Sequence, residues 1–411
     1  MSDSKQATAR TRRRMAGRDI HEAHRVSTPL ELLFDLTFVV AIAAAAAQLH
    51  HSVGAHHLAQ GMLGYVSTFF AVWWAWMNFT WFASAYDTDD STYRLCTIVQ
   101  MIGVLILAAG VARAAQGDFG MVTIGYVVMR SGLVALWWRA AREHPERRQT
   151  CMRYVVGILS VQTLWVARLA LPPTLGYPSF FALVVAELAV PMWAAKSGHT
   201  PWHAHHIAER YGLFTIIVLG ECVLGATTAI GNIIDAQGWS WNVAWVGGGA
   251  TSLVLALWWV YFLVPSGESL HHHRERAFRW GYGHFTVFAS LAALGAFLGV
   301  VADQLKAANV GPKADPHAVS PTLAIALVAG AVAVYLTSVA SMSARVTGAG
   351  KHPFAWVWLA ALLVLFGVVG AVAAGLPLAW ALPLVTLAPA VPIAAIERRR
   401  AAQHASPAPT P

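Results

Sequence analysis

One feature recurs along the 411 residues: apolar runs about 20 residues long, rich in Leu, Val, Ala and Gly and without strict alternation. A helix of that length matches the hydrocarbon thickness of a bilayer, and the missing alternation argues against barrel strands. Only 12% of the residues are charged and 57% are hydrophobic, where a soluble domain carries roughly a quarter charged residues. Lipid is therefore the solvent, and each span must close its own backbone hydrogen bonds. This predicts an all-α membrane protein of about twelve transmembrane helices, at residues 30–50, 62–84, 95–115, 119–139, 153–172, 178–195, 211–234, 241–264, 280–301, 321–341, 354–375 and 377–396. Pro377, Pro383, Pro389 and Pro392 are expected to break the last span or make it re-entrant.

The basic residues give an independent orientation. Lys5, Arg10, Arg12, Arg13, Arg14, Arg18 and Arg25 precede the first span, and alternate loops then hold most of the 28 Lys and Arg. By the positive-inside rule both termini of this multi-pass protein are expected in the cytoplasm. The net charge of +8 reflects this bias and contact with anionic lipid; no interleaving of basic and aromatic residues points to nucleic acid. Residues 1–26 read as a basic disordered tail, 27–198 as a first six-helix half, 199–397 as a second, and 398–411 as a basic, Pro-rich tail. Setting Glu31 against Glu209 aligns Thr37 with Thr215, and Trp73 and Trp74 are echoed by Trp258 and Trp259. Two six-helix repeats would share one orientation, as parallel repeats do. Cys96, Cys151 and Cys222 lack CxxC spacing and read as packing residues.

Three stretches are distinctive: "STPLELLFDLTFVVAIA" (27–43), "WWAWMNFTWFASAYDTDDSTYRLCTIVQMIGVLILA" (73–108) and "HHIAERYGLFTIIVLGE" (205–221). In this order they resemble the bacterial low-temperature-requirement A family, with Tyr86 where that family often has Phe. The resemblance extends over about residues 27–396 and implies a polytopic protein of the bacterial plasma (inner) membrane, but no particular substrate or reaction.

Chemistry is therefore argued from the charges. An ionised group at mid-bilayer costs a few kcal/mol even on lenient scales, so a span keeps one only where it is paired, hydrated or used. Arg130, Glu187 and Glu221 reach the middle layer; Asp35 and Glu209 lie shallower. These five are the expected proton- and substrate-binding core. Glu221 or Glu187 is expected to accept the proton, and Arg130 to supply the counter-charge. One base among several acids cannot neutralise them all, so one carboxyl should exchange protons. A plain structural ion pair of Arg130 with Glu187 or Glu221 accounts for the same residues without transport.

Glu31, Asp87, Asp89, Asp90, Arg94 and His206 are the expected gate. His206 would couple to Glu209, three residues on, and the aspartates would cap a helix rather than bind metal. Loop histidines keep a metal carrier as a minor alternative. No mid-helix Lys exists for a retinal Schiff base, and no GxSxG motif accompanies a candidate base, so a retinal pump is excluded and an enzyme disfavoured. The expectation is a proton-coupled carrier of an unspecified small solute without cofactor, its partners being lipid and protons. A non-transporting membrane sensor is the alternative.

Overall fold

A computed structural model of the chain describes residues 13–22, 25–310, 319–347 and 355–405. Lys5, Arg10, Arg12, Lys313, Lys351 and residues 406–411, part of the charge and tail readings, lie outside them. Among the described residues the chain is helical and has no strand. The helices are α1 Pro29–Gly54, α2 Leu58–Tyr86, α3 Ser91–Ala115, α4 Gly120–Glu143, α5 Arg148–Ala167, α6 Gly176–Ala195 and α7 Ala204–Gln237. They continue as α8 Trp241–Phe262, α9 Ser266–His272, α10 Ala277–Val310, α11 Pro321–Thr347, α12 Ala355–Ala373, α13 Leu378–Val385 and α14 Leu387–Ala405.

Among the described residues, 11 segments are long and apolar enough to cross a membrane, against the twelve expected. The segment expected at 62–84 forms α2, 29 residues long, but is not one of the 11. Its tryptophans, Asn78, Thr80 and Ser84 lower its apolar character, because each carries a polar N–H or O–H. The last segment spans Leu378–Ala402. As the prolines suggested, it is divided into α13 and α14 at Thr386, with Pro383 and Pro392 inside the two pieces.

The chain separates into two compact units. Unit 1 comprises Met1–Ala45 and Ser67–Arg210; unit 2 comprises Ala46–Val66 and Tyr211–Pro411.

In unit 1, α1 starts with a capping box. Thr28 Oγ1 accepts from the Glu31 N–H at 3.3 Å, the Glu31 carboxylate accepts from the Thr28 N–H at 2.7 Å, and Pro29 fills the first helical turn. The core is aromatic, with Phe34 and Phe79 at 3.9 Å, Phe82 edge-on to Trp137 at 4.8 Å, and Trp137 stacked on Tyr154 at 4.0 Å. Helices α3 and α4 touch backbone to backbone. A Cβ on Gly103 would lie 2.5 Å from the Met129 amide nitrogen, and one on Gly125 would lie 2.5 Å from that of Leu107. Gly132 packs the same way against the Cys96 carbonyl. Lipid gives apolar side chains no drive to leave it, so close van der Waals packing of this kind holds spans together.

Residues 13–18, read from sequence as part of a disordered tail, lie across helix ends. The Met15 N–H donates to Glu143 at 2.6 Å and the Arg18 N–H to the Ala85 carbonyl at 3.0 Å. Gly17 fits where a Cβ would meet Pro201 at 2.6 Å and His144 at 2.8 Å.

In unit 2, α10 is the central element, with 83% of its apolar stretch buried. Its His284 Nδ1 lies 2.9 Å from the Trp280 carbonyl and its Nε2 lies 3.0 Å from the Tyr261 hydroxyl. The carbonyl can only accept, so Nδ1 carries a proton and donates to it.

Candidate functional site

The acids of the opening motif are held by capping and by helix phase. Glu31 and Asp35 are one turn apart on α1, and both are fully buried together with Phe34 and Phe38. From α7, His206 and Arg210 are likewise one turn apart and fully buried. Glu31 Oε1 lies 3.2 Å from His206 Nε2 and 3.3 Å from Arg210 Nη1. Arg210 Nη2 donates to Asp35 Oδ1, which also accepts from the Trp76 indole at 2.7 Å. Arg25, on the segment leading into α1, bridges outward, 3.6 Å from Glu31 and 3.4 Å from Asp87. Three carboxyls therefore meet two guanidiniums and one imidazole in a buried cluster. Asp35 Oδ2, His206 Nδ1 and Arg210 Nε have no protein partner among the described residues. Asp87 lies just beyond α2, where burial first, and the Glu31 carboxylate second, push its carboxyl up to about 6 against the pull of Arg25.

A second set is built at mid-span from α2, α4, α5 and α6. Glu187 Oε2 accepts from Arg130 Nη2 at 3.0 Å and from the Trp74 indole at 2.8 Å, and Oε1 accepts from the Trp165 indole at 3.2 Å. Arg130 also donates to the Tyr126 hydroxyl at 3.1 Å, while its Nε and Nη1 have no acceptor among the described residues. Pro191, inside α6, has no N–H to give the Glu187 carbonyl one turn earlier.

The turn between α2 and α3 is a cap. Asp90 precedes α3 and accepts from the Tyr93 N–H at 2.9 Å, from the Arg13 N–H at 3.1 Å and from the Arg139 guanidinium at 2.8 Å and 2.5 Å. Burial alone would raise this carboxyl, but those donors hold it down to about 2. Asp89 and Arg94 form an exposed pair at 2.9 Å. No group of His, Cys, Asp and Glu suited to a metal ion occurs among the described residues.

The single polar core expected from sequence is thus divided. Asp35, Glu31, His206 and Asp87 come together in one set; Arg130 and Glu187 come together in the other. Glu209 is half-buried and accepts from the Ser27 N–H at 3.2 Å, so it holds the entry to α1 instead of joining the core. His206 meets Glu31, not Glu209. Glu221 is half-buried in unit 2, and no hydrogen bond or ion pair to it is found among the described residues. Sequence reasoning missed Arg210, Arg25, Arg139 and the three indole donors. The signal for Arg210 was present, because His203, His206, Ile207 and Arg210 trace one buried face of α7 at helical spacing.

Residues 26–391 match the family described as bacterial low temperature requirement A protein. An uncharacterized protein of Rhizobium meliloti (strain 1021) is 26% identical over 242 residues, which cover 56% of this chain and 57% of that protein. The chain thus spans a little over half the length of this curated relative. No solved structure matches. The family match takes in the capping box at Glu31, the aspartate turn and the His206–Arg210 face alike, and it places the chain among the bacterial low temperature requirement A proteins.

Proposed function

We propose that the protein is a proton-coupled secondary carrier of a small solute, with both termini cytoplasmic and two six-helix halves arranged as parallel repeats. The alternation of basic loops supports the orientation, and the Glu31/Glu209 alignment supports the repeat. The observation that carries the transport reading is the buried cluster of Glu31, Asp35, Asp87, Arg25, Arg210 and His206. With every carboxyl ionised and His206 neutral the set carries one excess negative charge, and one proton neutralises it. A buried site held one proton from neutrality is suited to taking and releasing that proton.

The proton-accepting role therefore passes from Glu221 and Glu187 to Glu31, Asp35 and Asp87, with His206 able to share the proton. Arg130 and Glu187, with two indoles donating to the carboxylate, form the mid-span counter-charge. Asp89 and Arg94 take no part.

Purified protein in proteoliposomes with an internal pH-sensitive dye tests this. An imposed pH gradient is combined with a panel of neutral, anionic and cationic solutes. One solute class should move protons with it, and Asp35→Asn should abolish that flux while leaving the protein monodisperse. Proton movement unaltered by Asp35→Asn and Glu31→Gln together would end the coupling role. A pH-dependent conformational change without flux for any solute would identify a sensor instead.

A further inference from the structure

At one end of unit 2 a cavity of about 380 Å³ lies between the start of α8, the end of α10, the start of α11 and the turn from α12 into α13. Sites for small molecules begin at ~300 Å³, so this space takes an organic molecule and not only water. None of its lining residues among those described carries a charge. An ion would lose its hydration there without meeting a counter-charge, which leaves neutral ligands.

The polar groups of the lining are unmet. Gln304 of α10 is half-buried with its Oε1 fully buried, and its amide has no hydrogen bond among the described residues. Asn242, in the first turn of α8, adds a second primary amide without a partner among them. Beside it, Ser240 Oγ accepts from the Val243 N–H at 3.3 Å and keeps its own proton to donate. Pro377 has no side chain able to cap α13, so the first N–H groups of that helix, at Leu378 and Ala379, have no side-chain acceptor at the cap. Each amide both donates and accepts, and a hydroxyl group answers both needs at one oxygen. Val246, Leu305 and Leu376 supply the apolar wall. Trp239 and Trp241 on either side of Ser240, and Trp380 beside Ala379, are exposed. Indoles of this kind gather where bilayer meets water, which sets the cavity at headgroup level.

We propose that this cavity binds a neutral molecule carrying two adjacent hydroxyl groups on an apolar body. The diol sits against Gln304 and Asn242, one oxygen for each amide, and the body lies against Val246, Leu305 and Leu376. The inference goes beyond the carrier reading, does not depend on proton coupling and shares no residue with the Glu31 and Asp35 set.

Isothermal titration of the purified full chain in phosphatidylcholine nanodiscs, with empty nanodiscs subtracted, tests it with 3-phenoxy-1,2-propanediol as probe. Its dimethyl ether lacks the donors, and phenoxyacetate is an anion of similar size. The expected result is saturable binding of the diol at least tenfold tighter than of either analogue. Asn242→Leu and Gln304→Leu should each weaken it about fivefold, the worth of one hydrogen bond. Leu376→Trp fills the cavity with both amides in place, and it too should lose binding. Nanodiscs containing 1-monooleoylglycerol separate the two sources of such a diol. Competition there assigns the site to a neutral glycerolipid, and unchanged affinity assigns it to a soluble diol. No saturable heat with the diol, equal binding of the dimethyl ether or of phenoxyacetate, or binding that survives Asn242→Leu and Gln304→Leu together in folded protein overturns the proposal.

Discussion

Trp74 and Trp76, two residues apart on α2, send their indole N–H groups to different buried carboxylates, Glu187 at 2.8 Å and Asp35 at 2.7 Å. Residues so spaced point to nearly opposite sides of a helix. One helix thus serves both charged sets of unit 1, and each tryptophan supplies a strong donor on a bulky apolar body.

Replacing either tryptophan by Phe keeps most of the ring and removes the donor. Each change should cost about 2 kcal/mol, the worth of a hydrogen bond to an ionised group. The two losses should add to within about 0.5 kcal/mol in the double variant, because the carboxylates served are different. Unfolding in mixed micelles measures all three, and strong non-additivity would mean that the two sets are coupled.

Arg130→Met leaves Glu187 buried with only indole donors. The expected cost is about 3 kcal/mol, and adding Glu187→Met should recover most of it, since breaking a buried pair is worse than replacing it with apolar groups. Thermal unfolding of the two variants beside the parent checks the order. If the double variant is the less stable one, the pair contributes net stability.

Asp87 and Asp90, three residues apart, should give opposite pH dependence. Folding raises Asp87 from 3.8 to about 6, so the native state holds a proton that the unfolded chain has released, and stability falls as pH rises through that window. Folding lowers Asp90 from 3.8 to about 2, so its contribution is present above about pH 4 and lost as pH falls toward 2. Asp87→Asn should flatten the decline between pH 4 and 6 and raise the unfolding midpoint at pH 7. Asp90→Asn should lower the midpoint at pH 7 and remove the acid loss. Midpoints recorded from pH 3 to 8 decide both.

Gly125→Ala places a methyl 2.5 Å from the Leu107 amide nitrogen, and backbone on the facing helix cannot swing aside. The expected loss is about 2 kcal/mol, typical of overpacking. Gly64→Ala on α2 meets nothing within 4 Å and should be neutral or slightly stabilising, because Ala favours the helix. The pair of variants separates crowding from propensity.

Much of this architecture was legible in the sequence because lipid imposes length and polarity on each span. The charged sets were harder to assign. Alignment with Glu31 points to Glu209, and Arg210 reads as a basic loop residue, yet a single residue step turns a helix by about 100° and puts Arg210 on the buried face instead of Glu209. Arg25 was counted as tail charge, and only the path of the chain brings it against Asp87. The indole donors had no signal of their own, since a tryptophan-rich helix reads first as apolar packing. The contacts of α3 with α4 depend on which glycines face each other, and this requires the register between two helices that no local pattern supplies.

Two rods whose peptide groups touch at Gly103 and Gly125 can neither slide nor roll past one another without steric collision. The α3–α4 pair therefore behaves as a single stiff beam. Bending has to come from a place where the hydrogen-bond ladder is already interrupted, and α6 offers one at Pro191, a single turn from the carboxylate that Arg130 holds.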